Sequence, residues 1–188
     1  MLSMRLAPEI RVQKITIPAG QRRIPALVLS PKDAPVLATG VLWIHGGGYI
    51  LGMKEMVHMS RAVDLVKKFG AVVVSPGYRL ALAALYLAAL DDCYAALLYM
   101  KSHAAGLGIR ADQLMGDGEP FYAETVQYIE NLKKSGIPAS VDVYHPDVHA
   151  FDMMQPDTPR SWEAARRFNE QFAYAQACYF ASQGESER

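Results

Sequence analysis

Residues 38–45, Ala-Thr-Gly-Val-Leu-Trp-Ile-His, form an almost unbroken apolar run that stops at Gly46-Gly47-Gly48. So short a run without alternation suits a strand buried on both faces. That is the environment of a parallel sheet, whose strands must be joined by crossover segments, usually helices. The chain is therefore expected to be α/β, and the rest of the pattern agrees. Residues 10–17 and 23–30 are extended runs about the turn signal Ala19-Gly20, which predicts an antiparallel hairpin at the N-terminal end. Met56, Met59, Ala62, Val63 and Val66 recur at helical spacing between Glu55 and Phe69, with Gly70 as a stop. The pattern continues with a strand at Ala71–Ser75, a helix at Ala88–Ala105, a strand at Gln113–Met115 and a helix at Phe121–Ser135. A strand at Ser140–Tyr144 and a helix at Trp162–Ser182 follow. This alternation predicts a mostly parallel sheet of about six strands with right-handed crossovers. The Ala/Leu run Leu80–Leu90 predicts an N-terminal extension of the second helix, on propensity.

The 188 residues suffice for one domain, residues 1–182, followed by a polar tail, residues 183–188. Lys and Arg balance Asp and Glu at 19 each and form no stripe, so nucleic acid is not an expected partner. Two scattered cysteines, Cys93 and Cys178, predict neither a disulfide framework nor a zinc site, and suit a reducing cytoplasm. Residues 1–14 lack an apolar signal core, and no window reaches about 18 uninterrupted apolar residues, so neither secretion nor a membrane span is expected.

The chemistry gathers at predicted strand ends. His45-Gly46-Gly47-Gly48-Tyr49 leaves a buried strand, and glycines let backbone N–H groups approach a ligand closely, as a tetrahedral oxyanion requires. Gly116-Asp117-Gly118-Glu119-Pro120-Phe121 closes a second strand and Val148-His149-Ala150-Phe151-Asp152 follows a third. In open parallel sheets sites form at the carboxyl ends of strands, where a carboxylate can orient an imidazole and stabilise its protonated form.

Together with Ser75-Pro76-Gly77-Tyr78-Arg79-Leu80-Ala81 and Ala89-Leu90-Asp91-Asp92, these segments resemble the hormone-sensitive-lipase-like esterases of the α/β-hydrolase superfamily. The resemblance implies a reduced α/β-hydrolase fold and a carboxylic ester as the small-molecule substrate, without metal or cofactor. It further implies that the amides of Gly46, Gly47 and Gly48 form an oxyanion hole, that His149 is the catalytic histidine and that Glu119 is its acid. His145, Asp147, His149 and Asp152 look superficially like a metal cluster, but the resemblance already accounts for His149.

One part of the family pattern is missing. Where the family has a Gly-Asp-Ser-Ala-Gly nucleophile elbow, this chain runs Met115-Gly116-Asp117-Gly118-Glu119, and no serine has a Gly-x-Ser-x-Gly setting. The elbow, its helix and the strands before the acid loop are expected to be absent, as if two family segments had been joined. Asp117 does not meet the elbow spacing, Ser75 reads as structural and Cys93 as a core residue, so no nucleophile is assigned. Two functions remain open: an ester hydrolase with weak activity, or a catalytically silent scaffold or binding domain. Shortening of the fold and the Ala/Leu run predict a homodimer.

Overall fold

The computed structural model describes residues 8–33, 37–84, 87–117, 127, 129–131, 133–136, 141–142, 144 and 151–180. They fall into two compact units, Met1–Glu119 with Tyr179–Arg188, and Pro120–Cys178.

In the first unit, β1 (Ile10–Ala19) and β2 (Arg22–Pro31) form the expected hairpin, in register from Ile10↔Pro31 to Ala19↔Arg22, with Gly20 in the left-handed region at the turn. Strands β3 (Ala38–Trp43), β4 (Val72–Pro76) and β5 (Ile109–Asp117) complete a sheet of order β1-β2-β4-β3-β5. β3 is parallel to both β4 and β5, while β2 meets β4 antiparallel, so the sheet is mixed. Every residue of β3 and β4 is buried, as their mostly apolar composition favours, and the polar Thr39 and Ser75 are hydrogen-bonded to Gln113 and to Lys54 O.

Helix α1 (Ala62–Phe69) turns Ala62, Leu65 and Val66 inward and ends at Gly70, whose φ of 65° makes the left-handed cap. The single helix expected from Glu55 is broken. Lys54–Met59 is a 3-10 helix and Ser60 is extended; its Oγ donates to Val57 O at 2.9 Å and accepts from Ala62 N–H at 3.2 Å. A serine that satisfies its neighbours' backbone groups competes with the helix ladder and stops it. Helix α2 (Ala88–Ser102) packs Ala96 and Met100 against Ile17, Ile24, Ala26, Val28, Leu42, Val72 and Val74. A short α3 (Ala104–Leu107) leads into β5.

Residues 80–84 and Leu87 do not extend α2. Residues 81–84 are turn and bend, and Leu87 sits at φ 79° immediately before the first helical residue. Tertiary bonds override propensity here. Ala81 N–H donates to Tyr49 O at 2.7 Å, and Asp92 inside α2 holds the Arg79 backbone and guanidinium.

β5 is longer than the predicted Gln113–Met115. Its pairing with β3 slips between Ala38↔Ile109 and Gly40↔Leu114, and this bulge takes up the polar stretch that conceals the strand in the sequence. Arg110 and Asp112 pair with each other there at 2.9 Å, while Gln113 Nε2 donates to Tyr179 O at 3.3 Å.

In the second unit, residues 127, 129–131 and 133–134 are helical, within the helix predicted at Phe121–Ser135. Helix α4 (Phe151–Met154) occupies part of a stretch expected to be loop. Helix α5 (Pro159–Cys178) starts before the predicted Trp162 because Thr158 caps it, Oγ1 accepting from Ser161 N–H at 3.3 Å, with proline at the first helical position. Val141, Asp142 and Tyr144 are not in strand conformation, which corrects the strand expected at Ser140–Tyr144. Val141 is exposed and Asp142 is tied to Arg167 of α5 at 2.8 Å. Among the described residues the sheet has five strands where about six were expected.

Cys93 is buried on α2, where burial and then the neighbouring Asp92 carboxylate push its thiol up to about 12, whereas Cys178 is exposed at the end of α5. Iodoacetamide at pH 8 should therefore modify Cys178 alone in the folded protein and both cysteines in denaturant. Peptide mass mapping checks this, and a native Cys93 adduct would contradict the packing of α2.

Candidate active site

The parallel pairs Leu42↔Gly116 and Trp43↔Asp117 set the carboxyl ends of β3 and β5 side by side. The glycine loop leaving β3 and the chain leaving β5 therefore start from one end of the sheet, where open α/β sheets place their sites.

The loop is built on a buried histidine. His45 is 3% exposed, and its imidazole stacks on the Tyr78 ring with centroids 4.1 Å apart and planes 12° apart. The Tyr78 hydroxyl donates to His45 O at 2.7 Å and lies 3.1 Å from His45 Nδ1, which is also 2.9 Å from Gly46 O. Because a carbonyl only accepts, this network assigns the imidazole proton to Nδ1.

From there the backbone coils tightly. Ile50 and Leu51 N–H donate to Gly47 O at 3.1 and 3.0 Å, with φ at 116° for Gly47, 61° for Gly48 and 63° for Tyr49. A Cβ at Gly47 would overlap the Leu51 carbonyl, and one at Gly52, φ 109°, would overlap the His45 ring and Gly46 O, so neither position accepts a side chain. Among the described residues, no acceptor takes the N–H of Gly46, Gly47 or Gly48. Consecutive backbone amides left without partners in such a turn are suited to a concentrated negative charge.

The loop's support reaches α2. Asp92, 2% exposed, accepts from Arg79 N at 3.0 Å, Nε at 2.9 Å and Nη2 at 3.0 Å, and also from Arg22 Nη1. Arg79 Nη2 donates in addition to Ala88 O at 3.2 Å. The segment that carries Tyr78 and Ala81 is thereby fixed to the N-terminal end of α2.

Of the residues singled out in the sequence, Gly46, Gly47 and Gly48 are placed together at the sheet end. Glu119 and His149 lie outside the described residues, as do His145 and Asp147. Asp117 closes β5, and Asp152 falls in α4. Ser75 is buried and its Oγ donates to Lys54 O at 3.0 Å, a structural role. His103 is exposed; His58 is half-buried and burial pushes its imidazole below the ordinary range. Tyr78, Gly52 and Asp92 had no assigned role in the sequence, although Gly52, isolated after a glycine triplet, was a usable signal.

Residues 41–118 match a family described as alpha/beta hydrolase fold. The chain is 36% identical over 90 residues to an ethyl acetate hydrolase of Pseudomonas putida, covering 47% of this chain and 28% of that one. It is 30% identical over 93 residues to hormone-sensitive lipase of Bos taurus, covering 50% of this chain and 12% of the lipase. Its structure is similar to that of a bacterial heroin esterase, with TM-score 0.58 and 26% identity over 69% of this chain and 42% of that one. The chain thus spans less than half the length of each of these proteins.

Proposed function

Because this chain is an α/β-hydrolase-fold protein related to esterases and to hormone-sensitive lipase, we propose that it hydrolyses carboxylic esters of short acyl chains, slowly and without a serine nucleophile. The observation that carries this proposal is the set of amides at Gly46, Gly47 and Gly48 that have no acceptor among the described residues, lying at the sheet end to which β5 also delivers Asp117. These amides would stabilise the oxyanion. His149 is the general base and Glu119 its orienting carboxylate, both assigned from their sequence motifs. Water adds to the ester carbonyl as His149 takes its proton. The tetrahedral oxyanion then collapses, the C–O bond to the alcohol breaks, and the leaving alkoxide recovers the proton from the imidazolium. Oxyanion stabilisation and binding keep some rate advantage when a covalent nucleophile is absent.

A catalytically silent scaffold or binding domain is the second reading, favoured by Gly116-Asp117-Gly118 standing where an elbow serine would be needed. Under both readings a fluorophosphonate probe leaves the intact mass unchanged, and stoichiometric labelling would show a reactive serine and overturn the serine-free scheme. Under the hydrolytic reading, p-nitrophenyl acetate is cleaved above the buffer rate from the first turnover with no burst, since no acyl-enzyme accumulates. A rate equal to buffer leaves the scaffold reading standing.

Two further assignments accompany this one. The unpaired cysteines suit a reducing compartment such as the cytoplasm. A homodimer is supported by α2, which buries Ala88, Cys93, Ala96 and Met100 and also exposes Leu87, Leu90, Tyr94 and Leu98 on or beside its outward face. By contrast, α1 turns Lys67 and Lys68 outward. Between Asp91 and Lys101 the outward side of α2 is therefore apolar at Tyr94 and Leu98, and an exposed apolar patch of this kind suits an interface. Light scattering after size exclusion should give twice the mass of one chain at micromolar concentration, and the mass of one chain across a dilution series would refute it.

A further inference from the structure

The glycine loop is held at two points by one segment. At its start, the Tyr78 hydroxyl donates to His45 O at 2.7 Å and meets the His45 imidazole, and at its far side Ala81 N–H donates to Tyr49 O at 2.7 Å. Tyr49 also meets the Tyr78 ring edge-on, with centroids 6.1 Å apart. Between these contacts lie Gly46, Gly47 and Gly48, two of them at positive φ and none with an acceptor for its N–H among the described residues.

A loop with this much glycine has many accessible conformations, and only a fixed frame gives its amides one direction. The hydrophobic core offers little of that frame, since Gly48, Tyr49, Ile50 and Leu51 are exposed. The frame is Tyr78 and Ala81, which Asp92 anchors through Arg79. We infer that Tyr78 is a positioning residue for the oxyanion amides, its hydroxyl fixing the direction of the Gly46–Gly48 N–H groups through His45. This inference rests on the hydrolase reading for its catalytic meaning and on the loop geometry alone for its structural content.

Glycine-selective 15N labelling of the full chain separates these two dependences. In Tyr78→Phe the ring stack on His45 is retained and only the hydroxyl is lost. The amide signals of Gly46, Gly47 and Gly48 should shift and broaden, because the peptide that begins the loop loses the hydroxyl that fixes it. Those of Gly20, Gly70 and Gly108 should stay in place, and Tyr99→Phe should move none of the six. The loss in hydrolysis should appear in kcat with KM little changed, because the affected donors act on charge that develops in the transition state. Should Tyr78→Phe fail to fold, Ala81→Pro removes the second hold and must move the same three signals. Unchanged Gly46–Gly48 signals in the folded variant would overturn the inference. A wild type without ester hydrolysis whose glycine signals nevertheless respond would leave the positioning role intact and refute only the catalytic reading.

Discussion

Asp92→Ala is expected to lower the unfolding free energy by about 2–3 kcal/mol. The carboxylate is 2% exposed and accepts from both Arg22 and Arg79, with the Arg79 backbone amide as a further donor. Removing one partner of a buried ion pair typically costs about 3–5 kcal/mol because the other charge is stranded. Here Arg22 and Arg79 keep 40% and 38% of their side-chain surface exposed, so water recovers part of that loss and the lower figure applies. The change corresponds to a fall in melting temperature of about 5–10 °C for a chain of this length. Asp92→Asn, which keeps an acceptor but not the charge, should lose about 1 kcal/mol. Urea denaturation of the three proteins measures this. A midpoint for Asp92→Ala equal to the wild type would contradict the role given to Asp92 in tying β2, the Tyr78–Ala81 segment and α2 together.

The parts of the fold that the sequence discloses are those set by local rules. β3 is visible in Ala38–Trp43 because a strand buried on both faces cannot alternate, and the stop of α1 is visible at Gly70 because a left-handed cap needs glycine. The errors occur where distant residues decide. The Ala/Leu run has the composition of a helix, yet its first half is held as a turn by Tyr49, distant in sequence, which accepts from Ala81, and by the anchoring of the preceding Arg79 on Asp92. β5 is hidden in part because its bulge carries Arg110 and Asp112, which break the apolar pattern on which a buried strand is recognised. The strand expected at Ser140–Tyr144 follows from β-branched composition alone, and Asp142 paired with Arg167 puts the segment to another use.

The candidate site divides in the same way. The tight turn at Gly46, Gly47 and Gly48 is legible because three glycines that end a buried strand let the backbone bend there, and its role toward an oxyanion stands as a proposal. The hold of Tyr78 on His45 spans 33 residues and has no periodicity, so only the folded chain displays it. Glu119 and His149 are named from motif and lie outside the described residues, and their roles stand as proposals on the sequence.

The hydrolytic reading stands or falls with the cleavage of p-nitrophenyl acetate by the wild type and by His149→Ala at equal concentration. General acid–base catalysis by a positioned side chain is worth about 10²–10⁴-fold in rate, and a water-mediated scheme with His149 as the general base has no second group to replace it. We expect slow, saturable hydrolysis by the wild type and a fall of about a hundredfold in kcat for His149→Ala, with the melting temperature unchanged. Equal rates for the two proteins would refute it.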